Sequence, residues 1–196
     1  MGFDFLYLVG SGATGSFVGE PDLDVMSSTE FAITATMMVS HTDLPVIADA
    51  SMAFGGPLNI AHTIRLYERA GVAGCHIDDQ VFPRGFTQLK GKDVVDLEDY
   101  LERIRSAVEA RVDPNFVIIA RTNARQAFRY GGEKRSRDAF HQGVTRLKAT
   151  LDAGADMALM ESPEGHYECV ELVKALAPKP VLVGVLPHVS SIVSML

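Results

Sequence analysis

Short runs of apolar residues alternate along the chain with segments whose apolar residues recur at helical spacing. The runs are typical of buried strands and the spaced segments of amphipathic helices. The runs predict strands at 3–9, 45–48, 72–77, 116–120, 157–160 and 181–185. The spaced segments predict helices at 29–39, 61–70, 97–111, 139–153 and 168–176. Strands that alternate with helices predict an α/β fold with a parallel sheet.

The segment 44–80 contains two of these strands with one helix between them, and Gly71 is placed to end that helix. Strands joined in this way lie parallel through a right-handed crossover, so their carboxyl ends meet at one edge of the sheet. In (β/α)8 barrels of the TIM type that edge carries the chemistry, and a complete barrel takes about 250 residues. The chain has 196 residues, enough for about six β/α units. We therefore expect one α/β domain over 1–196 that forms an incomplete barrel, either naturally so or as a fragment of a longer protein.

Charged residues stand where four of the predicted strands end. Asp49 follows the second strand, Asp78 the third, Arg121 the fourth and Glu161 the fifth. Carboxylates suit a hard cation such as Mg²⁺, which takes one or two of them and keeps several waters. A neighbouring arginine binds a substrate carboxylate through two hydrogen bonds. A metal and an arginine together would stabilise the enolate of a 2-oxo acid; the alternative is that these acids only cap helices and pair with surface arginines.

A glycine-rich stretch at 10–15 follows the first predicted strand and has the form G-x-G-x-x-G. In dinucleotide-binding proteins a helix begins on these glycines and holds the pyrophosphate at its N-terminus. Gly19 and Pro21 follow closely and disfavour such a helix. We therefore expect a flexible loop over the mouth of the barrel, with a dinucleotide site as the weaker alternative.

Composition narrows the classes of partner. The net charge of −7 argues against a nucleic-acid or anionic-membrane surface, and leaves small acidic molecules as substrates. Cys75 and Cys169 lie in or beside apolar segments, which indicates buried thiols in a reducing compartment rather than a disulfide framework. No apolar run reaches the roughly 18 residues of a membrane span, and the first residues lack the basic segment of a secretory signal. We therefore expect a cytoplasmic protein.

Four segments carry longer motifs than these single residues. They are PVIADASMAFGG at 45–56, GCHIDDQ at 74–80, ARTNA at 120–124 and AGADMALMESP at 153–163. They resemble the motifs ADAD-x-G-[FY]-G, HIEDQ, ARTDA and AGAD…E-[AS]-P of the isocitrate lyase/phosphoenolpyruvate mutase superfamily, in particular of methylisocitrate lyases and oxaloacetate hydrolases. The first strand and the stretch that ends in GEPDLD at 19–24 are also similar to this superfamily.

The resemblance implies an α/β barrel that uses Mg²⁺ to cleave or form C–C or P–C bonds in small oxo acids. It also implies a homo-oligomer, either a dimer or a tetramer. Matched position by position, Asp49 resembles the residue that binds the metal directly. Asp22 and Asp78 resemble acids that hold metal-bound waters.

The resemblance also implies roles around the substrate. Gly10 and Ser11 match backbone N–H groups that bind substrate oxygens, and Arg121 matches the substrate-binding arginine. Arg121 and Glu161 are the expected catalytic residues. The segment 81–92 matches a gating loop, in which the matched positions are Arg84, Phe86 and Thr87.

Several positions depart from the superfamily pattern. Ser51 replaces the second Asp of the metal motif, Asn123 replaces the Asp of ARTDA, and Asp78 replaces the Glu of HIEDQ. Phe86 occupies the place of the loop Cys that serves as an acid in the lyases, and phenylalanine cannot transfer a proton. Losing a general acid typically costs 10²- to 10⁴-fold in rate. Val9 stands where the superfamily has a Ser or Thr that touches substrate, Met52 follows Ser51 where it has Thr or Ile, and Gly184 stands where it has a sixth-strand Asn.

Three hypotheses follow for the function. The first is a Mg²⁺-dependent lyase or hydrolase that acts on a small 2-oxo or substituted dicarboxylic acid. The second is a diverged barrel that binds a more apolar ligand, and the third is a non-catalytic subunit. His76 is either a packed core residue or a support of the metal site, and His188 is a candidate to replace a lost acid.

Overall fold

The computed structural model of the protein describes residues 2–82, 92–131 and 136–183. A parallel sheet of six strands in the order β1 to β6 runs through these residues. The strands are β1 Leu6–Leu8, β2 Val46–Asp49, β3 Gly74–Asp78, β4 Val117–Thr122, β5 Met157–Met160 and β6 Val181–Leu182. The helices are α1 Gly10–Phe17, α2 Ser28–Val39, α3 Pro57–Ala70, α4 Leu97–Ala110, α5 Arg137–Asp152 and α6 Gly165–Leu176. The predicted fold, an α/β half-barrel of six strands, is confirmed.

Local sequence signals fix the ends of the helices. Ser27 caps α2 and exchanges hydrogen bonds with Glu30 in a capping box. Pro57 occupies the first turn of α3, where its missing N–H costs nothing. Gly71 ends α3 in the left-handed region at φ 82°, a conformation that glycine adopts without a steric penalty. Both helices end where the sequence predicts, whereas α2 begins one residue and α3 four residues before the predicted start.

The strands divide their side chains between two faces. Alternate residues pack under the helices and form the apolar core, among them Ala48, Cys75, Ile77, Ile118, Ala120, Ala158 and Met160. The residues between them turn to the inner face of the half-barrel. Both cysteines are buried and unpaired, as expected, and burial raises the pKa of the Cys75 thiol. The inner face is therefore where charged side chains collect.

The stretch after β1 differs from the prediction. Gly10–Phe17 is the helix α1 rather than a flexible loop. Gly19 and Pro21, which were expected to break a helix, lie beyond its last residue and follow it without conflict. The helix begins directly at the carboxyl end of β1 and so places its first residues at the inner edge of the sheet.

Some predictions fall outside the described residues. These include the gating-loop positions Arg84, Phe86 and Thr87, and also Gly184 and His188. Lys92 is described, and 92–95 runs antiparallel to 79–81. None of the helices in the described ranges is long and apolar enough to cross a membrane.

Candidate active site

Charged side chains from neighbouring strands meet at the carboxyl edge of the sheet. Asp49 lies opposite His76 in the register of β2 and β3. Asp78 lies opposite Arg121 in the register of β3 and β4. Glu161 directly follows β5. The predicted site residues of four strands are therefore brought to one edge, as the parallel topology requires.

Asp49 is at the centre of this edge, and its side chain is 1% exposed. Its Oδ1 accepts a hydrogen bond of 2.7 Å from the backbone N–H of Ser51. Its Oδ2 accepts one of 3.1 Å from the backbone N–H of Gly10. Ser51 adopts φ 49°, in the left-handed region, and this turn returns its N–H to the carboxylate. Two backbone donors thus hold the orientation of Asp49.

Asp22, from the segment between α1 and α2, reaches the same place. A Cβ built at Gly10 would lie 2.6 Å from Oδ2 of Asp49 and 2.7 Å from Oδ2 of Asp22. Two carboxylates that are far apart in sequence therefore converge beside Gly10. Only a residue without a side chain fits between them.

Arg121 is buried and its guanidinium lies between two carboxylates. Its Nη2 is 2.8 Å from Oε2 of Glu161, and its Nη1 is 3.9 Å from Oδ2 of Asp49. Burial lowers the pKa of Arg121, but the carboxylates of Glu161 and Asp49 outweigh burial and raise that pKa. For the acid Glu161 burial has the opposite sign and raises the pKa, but the positive charges of Arg121 and Lys92 lower that pKa below its ordinary value. Both members of the pair are therefore charged at neutral pH.

Asp78 is completely buried, and its carboxylate is held by hydrogen bonds from Gln80, two residues further along the chain. Its Oδ1 accepts from the backbone N–H of Gln80, and its Oδ2 accepts from the side-chain amide of Gln80, each at 3.1 Å. Arg103 of α4 donates to the carbonyl groups of both residues, at 3.0 and 3.1 Å. Asp78 is thus fixed beside Arg121 in register, one strand away from Asp49.

His76 is fully buried and lies between Asp49 and an aromatic ring. Its Nε2 is 3.3 Å from Oδ1 of Asp49, without the alignment of a hydrogen bond. Its ring stacks on Tyr7 of β1, with 5.6 Å between centroids and 17° between planes. Among the described residues, neither ring nitrogen has a hydrogen-bond partner. His76 therefore lines the inner face instead of the apolar core.

Buried polar atoms without a partner are concentrated at this edge. Within 2–82, 92–131 and 136–183 they are the ring nitrogens of His76, Oε1 of Gln80, Nε of Arg121, both amide atoms of Asn123, and Oγ1 of Thr14 in α1. Leaving a polar group buried and unpaired costs about 1–3 kcal/mol. Such groups are rare in folded proteins and call for an explanation. Their concentration beside charged side chains indicates a place where a polar ligand completes the hydrogen bonds.

Asp79 follows Asp78 directly and is also buried, and the sequence analysis did not predict that the two side chains point in different directions. It turns away from the inner face and accepts hydrogen bonds of 2.6 Å from Thr122, 2.8 Å from the Asn123 N–H and 2.8 Å from Arg146 of α5. Burial raises its pKa, and the Arg146 cation opposes that shift. Asp79 therefore joins the ends of β3 and β4 to α5. The alternation of side chains along a strand was the signal that could have separated the two acids.

The chemistry of the donors at Gly10 fits Mg²⁺. Asp49 and Asp22 supply carboxylate oxygens, which this ion prefers. Across the part of the chain that the structure describes, no group of three or more His, Cys, Asp or Glu side chains is placed to hold a metal together. Magnesium commonly binds through one or two carboxylates and keeps several waters. The arrangement therefore suits an open magnesium site, in which Asp49 is the residue best placed to be the ligand.

The first residues of α1 bear on two predictions. The Gly10 N–H donates to Asp49, so it is engaged with a carboxylate and not directed only at a substrate. Ser11 is exposed at the same helix end. Although a helix does follow the glycine motif, its N-terminus faces the carboxylates of Asp49 and Asp22, which would repel a pyrophosphate. The dinucleotide alternative is therefore not supported.

An α/β half-barrel with carboxylates and an arginine at its carboxyl edge belongs to the class of barrel proteins that carry their site at the strand ends. The family model for phosphoenolpyruvate phosphomutase matches residues 2–195. The chain belongs to this family, within the phosphoenolpyruvate mutase/isocitrate lyase superfamily that its motifs resemble.

Individual relatives agree with this assignment. The chain is 39% identical over 168 residues to 2,3-dimethylmalate lyase of Eubacterium barkeri, which covers 86% of this chain and 55% of that protein. The fold matches oxaloacetate acetylhydrolase in complex with the inhibitor 3,3-difluorooxalacetate, with a TM-score of 0.84, 37% identity, and coverage of 93% and 59% of the two chains. It matches phosphonopyruvate hydrolase in complex with oxalate and Mg²⁺ with a TM-score of 0.74, 28% identity, and coverage of 93% and 60%. The chain thus spans little more than half the length of the proteins it matches.

Proposed function

We propose that the protein is a Mg²⁺-dependent lyase or hydrolase that cleaves a C–C bond in a small 2-oxo or substituted dicarboxylic acid. Cleavage of a P–C bond is the less favoured variant. The more similar relatives above, 2,3-dimethylmalate lyase and oxaloacetate acetylhydrolase, are named for carboxylic acids without phosphorus. The observation that carries the proposal is the set of buried Asp49, buried Arg121 and partly buried Glu161, close to polar atoms that have no partner among the described residues. Such a set suits a small polar anion better than an apolar ligand.

Each residue has a role that follows from its surroundings. Asp49 would hold the metal, with Asp22 close beside Gly10 and Asp78 fixed by Gln80 as acids that orient metal-bound waters. When bound, Mg²⁺ would supply the Lewis acidity that stabilises negative charge on the oxygens of a 2-oxo acid.

Arg121 would bind the substrate. Its Nε has no partner among the described residues, so the guanidinium retains a donor for a substrate carboxylate in addition to its contact with Glu161. Glu161 holds the orientation of Arg121 through the 2.8 Å contact between its Oε2 and Nη2 of Arg121. Because Arg121 is buried, its electrostatic effect on a developing enolate would exceed what it would be in water.

The proposal is tested by calorimetric titration of Mg²⁺ in the presence and absence of oxalate. The wild type is compared with Asp49→Asn, which keeps the size of the side chain and removes its charge. Asp152→Asn serves as the matched control, because Asp152 is exposed at the end of α5. We expect oxalate to bind with Mg²⁺ to the wild type and to Asp152→Asn, and to lose most of its affinity for Asp49→Asn.

Folded wild-type protein that binds neither Mg²⁺ nor oxalate would overturn the proposal. The two remaining hypotheses, a barrel that binds an apolar ligand and a non-catalytic subunit, would then be favoured. Positive titrations would justify a screen of 2-oxo and 2-hydroxy dicarboxylic acids for cleavage. Sedimentation of the same samples would test the predicted dimer or tetramer.

A further inference from the structure

A second buried arginine, Arg125, lies in the 3-10 turn Ala124–Gln126 that follows β4. Its side chain is 3% exposed, and arginine is rarely buried to this extent without partners. Its Nε donates to Oε2 of Glu168 at 2.9 Å, and its Nη2 donates to Oε2 of Glu164 at 3.0 Å. Arg125 therefore joins the turn after β4 to the start of α6.

Glu164 is held at the start of α6 through both its backbone and its side chain. It is the last residue before that helix. Its backbone N–H donates to Oε2 of Glu168 at 2.6 Å, and this is the oxygen that also accepts from Arg125. Its own carboxylate accepts from the same arginine. The arginine and the buried Glu168 thus form an anchor for the end of the turn that leads into α6.

The turn between β5 and α6 begins with Glu161 and contains a strained residue. The N–H of Glu161 donates to the carbonyl of Thr122 at 2.9 Å. Ser162, which follows, adopts φ 52°, in a left-handed region that serine populates less readily than glycine by a factor of about 5–30. A conformation of this kind persists only where the surroundings determine it. Here the surroundings include the anchored Glu164, two residues further on.

Two arginine–glutamate contacts link the segment after β4 to the segment after β5. The first joins Arg121 to Glu161 at 2.8 Å and belongs to the candidate active site. The second joins Arg125 to Glu164 at 3.0 Å and lies at the other end of the turn. The second contact is therefore placed to control the geometry of the first.

We propose that Arg125 is a positioning residue, which anchors Glu164 and thereby keeps Glu161 where it contacts Arg121. The inference rests on the proposed function, in which Arg121 binds a substrate carboxylate. Without the anchor, Ser162 would relax toward commoner backbone angles, and the carboxylate of Glu161 would shift relative to the guanidinium that it orients. A misplacement near 1 Å in a binding constellation can cost about 10²-fold.

Arg125→Met tests this role through the affinity for oxalate in the presence of Mg²⁺, measured by calorimetry. We expect that affinity to fall by at least about 10-fold. Adding Ser162→Gly to Arg125→Met should restore at least about 3-fold, because glycine adopts the left-handed conformation without a steric penalty. A role of Arg125 in folding alone would leave the oxalate affinity of the folded protein unchanged, and Ser162→Gly would have nothing to restore.

Arg111→Met is the matched control at the opposite edge of the sheet. Arg111 donates to Oδ2 of Asp156, directly before β5, at 2.6 Å. The variant therefore also removes an arginine–acid contact at an end of β5, but far from the turn that carries Glu161. We expect its oxalate affinity to stay within about 2-fold of the wild type.

Urea denaturation establishes that each variant is folded. If Arg125→Met does not fold, Glu164→Gln takes its place, because it weakens the anchor and leaves the buried contact of Arg125 with Glu168 intact. Glu164→Gln should lower the oxalate affinity by at least about 3-fold, with the same recovery on adding Ser162→Gly.

The outcomes separate this inference from the proposed function. Wild-type affinity in the folded Arg125→Met and Glu164→Gln variants would overturn the inference, and so would a loss that Ser162→Gly does not reduce or that Arg111→Met equals. In each of these cases oxalate binding to the wild type would still uphold the proposed function. If the wild type did not bind oxalate with Mg²⁺, the proposed function and this inference would fall together.

Discussion

Replacing Gly10 with alanine would place a methyl group between two buried carboxylates. The new Cβ would lie 2.6 Å from Oδ2 of Asp49 and 2.7 Å from Oδ2 of Asp22, whereas ordinary contacts begin at 3.4 Å. At least one carboxylate, or the start of α1, must therefore move by about 0.8 Å. Asp49 cannot swing away freely, because backbone N–H groups hold both of its oxygens.

The expected effect has two parts. Overpacking a buried site costs about 1–3 kcal/mol of stability, which urea denaturation measures. A misplacement near 1 Å in a catalytic or binding constellation can cost about 10²-fold, so we expect the affinity for oxalate in the presence of Mg²⁺ to fall by at least about 10-fold. Calorimetry of the wild type and Gly10→Ala under the same conditions gives that ratio.

Gly15→Ala is the matched control on the same helix. A Cβ at Gly15 meets nothing described within 4 Å, and alanine is the better helix former by up to about 1 kcal/mol. That variant should be as stable as the wild type or more so, and should bind oxalate equally well. Wild-type stability together with wild-type affinity in Gly10→Ala would refute the inference that the two carboxylates share the space beside Gly10.

Two further predictions concern the buried pair of Asp79 with Arg146 and the carboxylate of Glu161. Asp79→Asn leaves Arg146 buried without its charged partner, so urea denaturation should show that the free energy of unfolding falls by about 3–5 kcal/mol. Adding Arg146→Met to that variant should lower the free energy of unfolding by much less than this. The pKa of Glu161 lies below its ordinary 4.5 in the folded state, so its ionisation contributes stability above that pH and the contribution is lost as the pH falls through the folded value. As the pH falls below about 4.5, the melting temperature of the wild type should therefore fall more steeply than that of Glu161→Gln. Melting temperatures that fall in parallel for the two proteins would contradict this.

The elements with strong local signals were predicted to within a few residues. The helix expected at 29–39 is Ser28–Val39, because a capping box marks its start. The strand expected at 45–48 is Val46–Asp49, because a short apolar run is typical of a buried strand. The helix α1 was missed, since Gly10–Phe17 contains too few apolar residues to show helical spacing. Its apolar contact comes mainly from the buried Ala13.

The candidate site was predicted in outline but not in detail. Strand-end positions correctly placed Asp49, Arg121 and Glu161 at one edge, because parallel topology alone dictates that. The closeness of Asp22 could not be deduced in the same way, since it depends on how the segment after α1 folds back toward Gly10. The unpaired amide of Asn123 could not be predicted either. Whether a buried polar group has a hydrogen-bond partner depends on the side chains packed around it and not on sequence spacing.

The charge balance of this edge bears on how the proposed oxo-acid substrate would bind. Two cations, Arg121 and Lys92, stand among four carboxylates, those of Asp22, Asp49, Asp78 and Glu161. Counted as formal charges, the four carboxylates exceed the two cations by two, which a single Mg²⁺ would balance. Two like charges at 4 Å repel by about 4 kcal/mol near a protein surface, so an oxo acid arriving without the metal would be disfavoured. Because coupling between two ligands is reciprocal, oxalate must strengthen Mg²⁺ binding by the factor by which Mg²⁺ strengthens oxalate binding. Weak Mg²⁺ affinity without an anion is therefore consistent with the proposed site, and the titration with oxalate present is the one that decides.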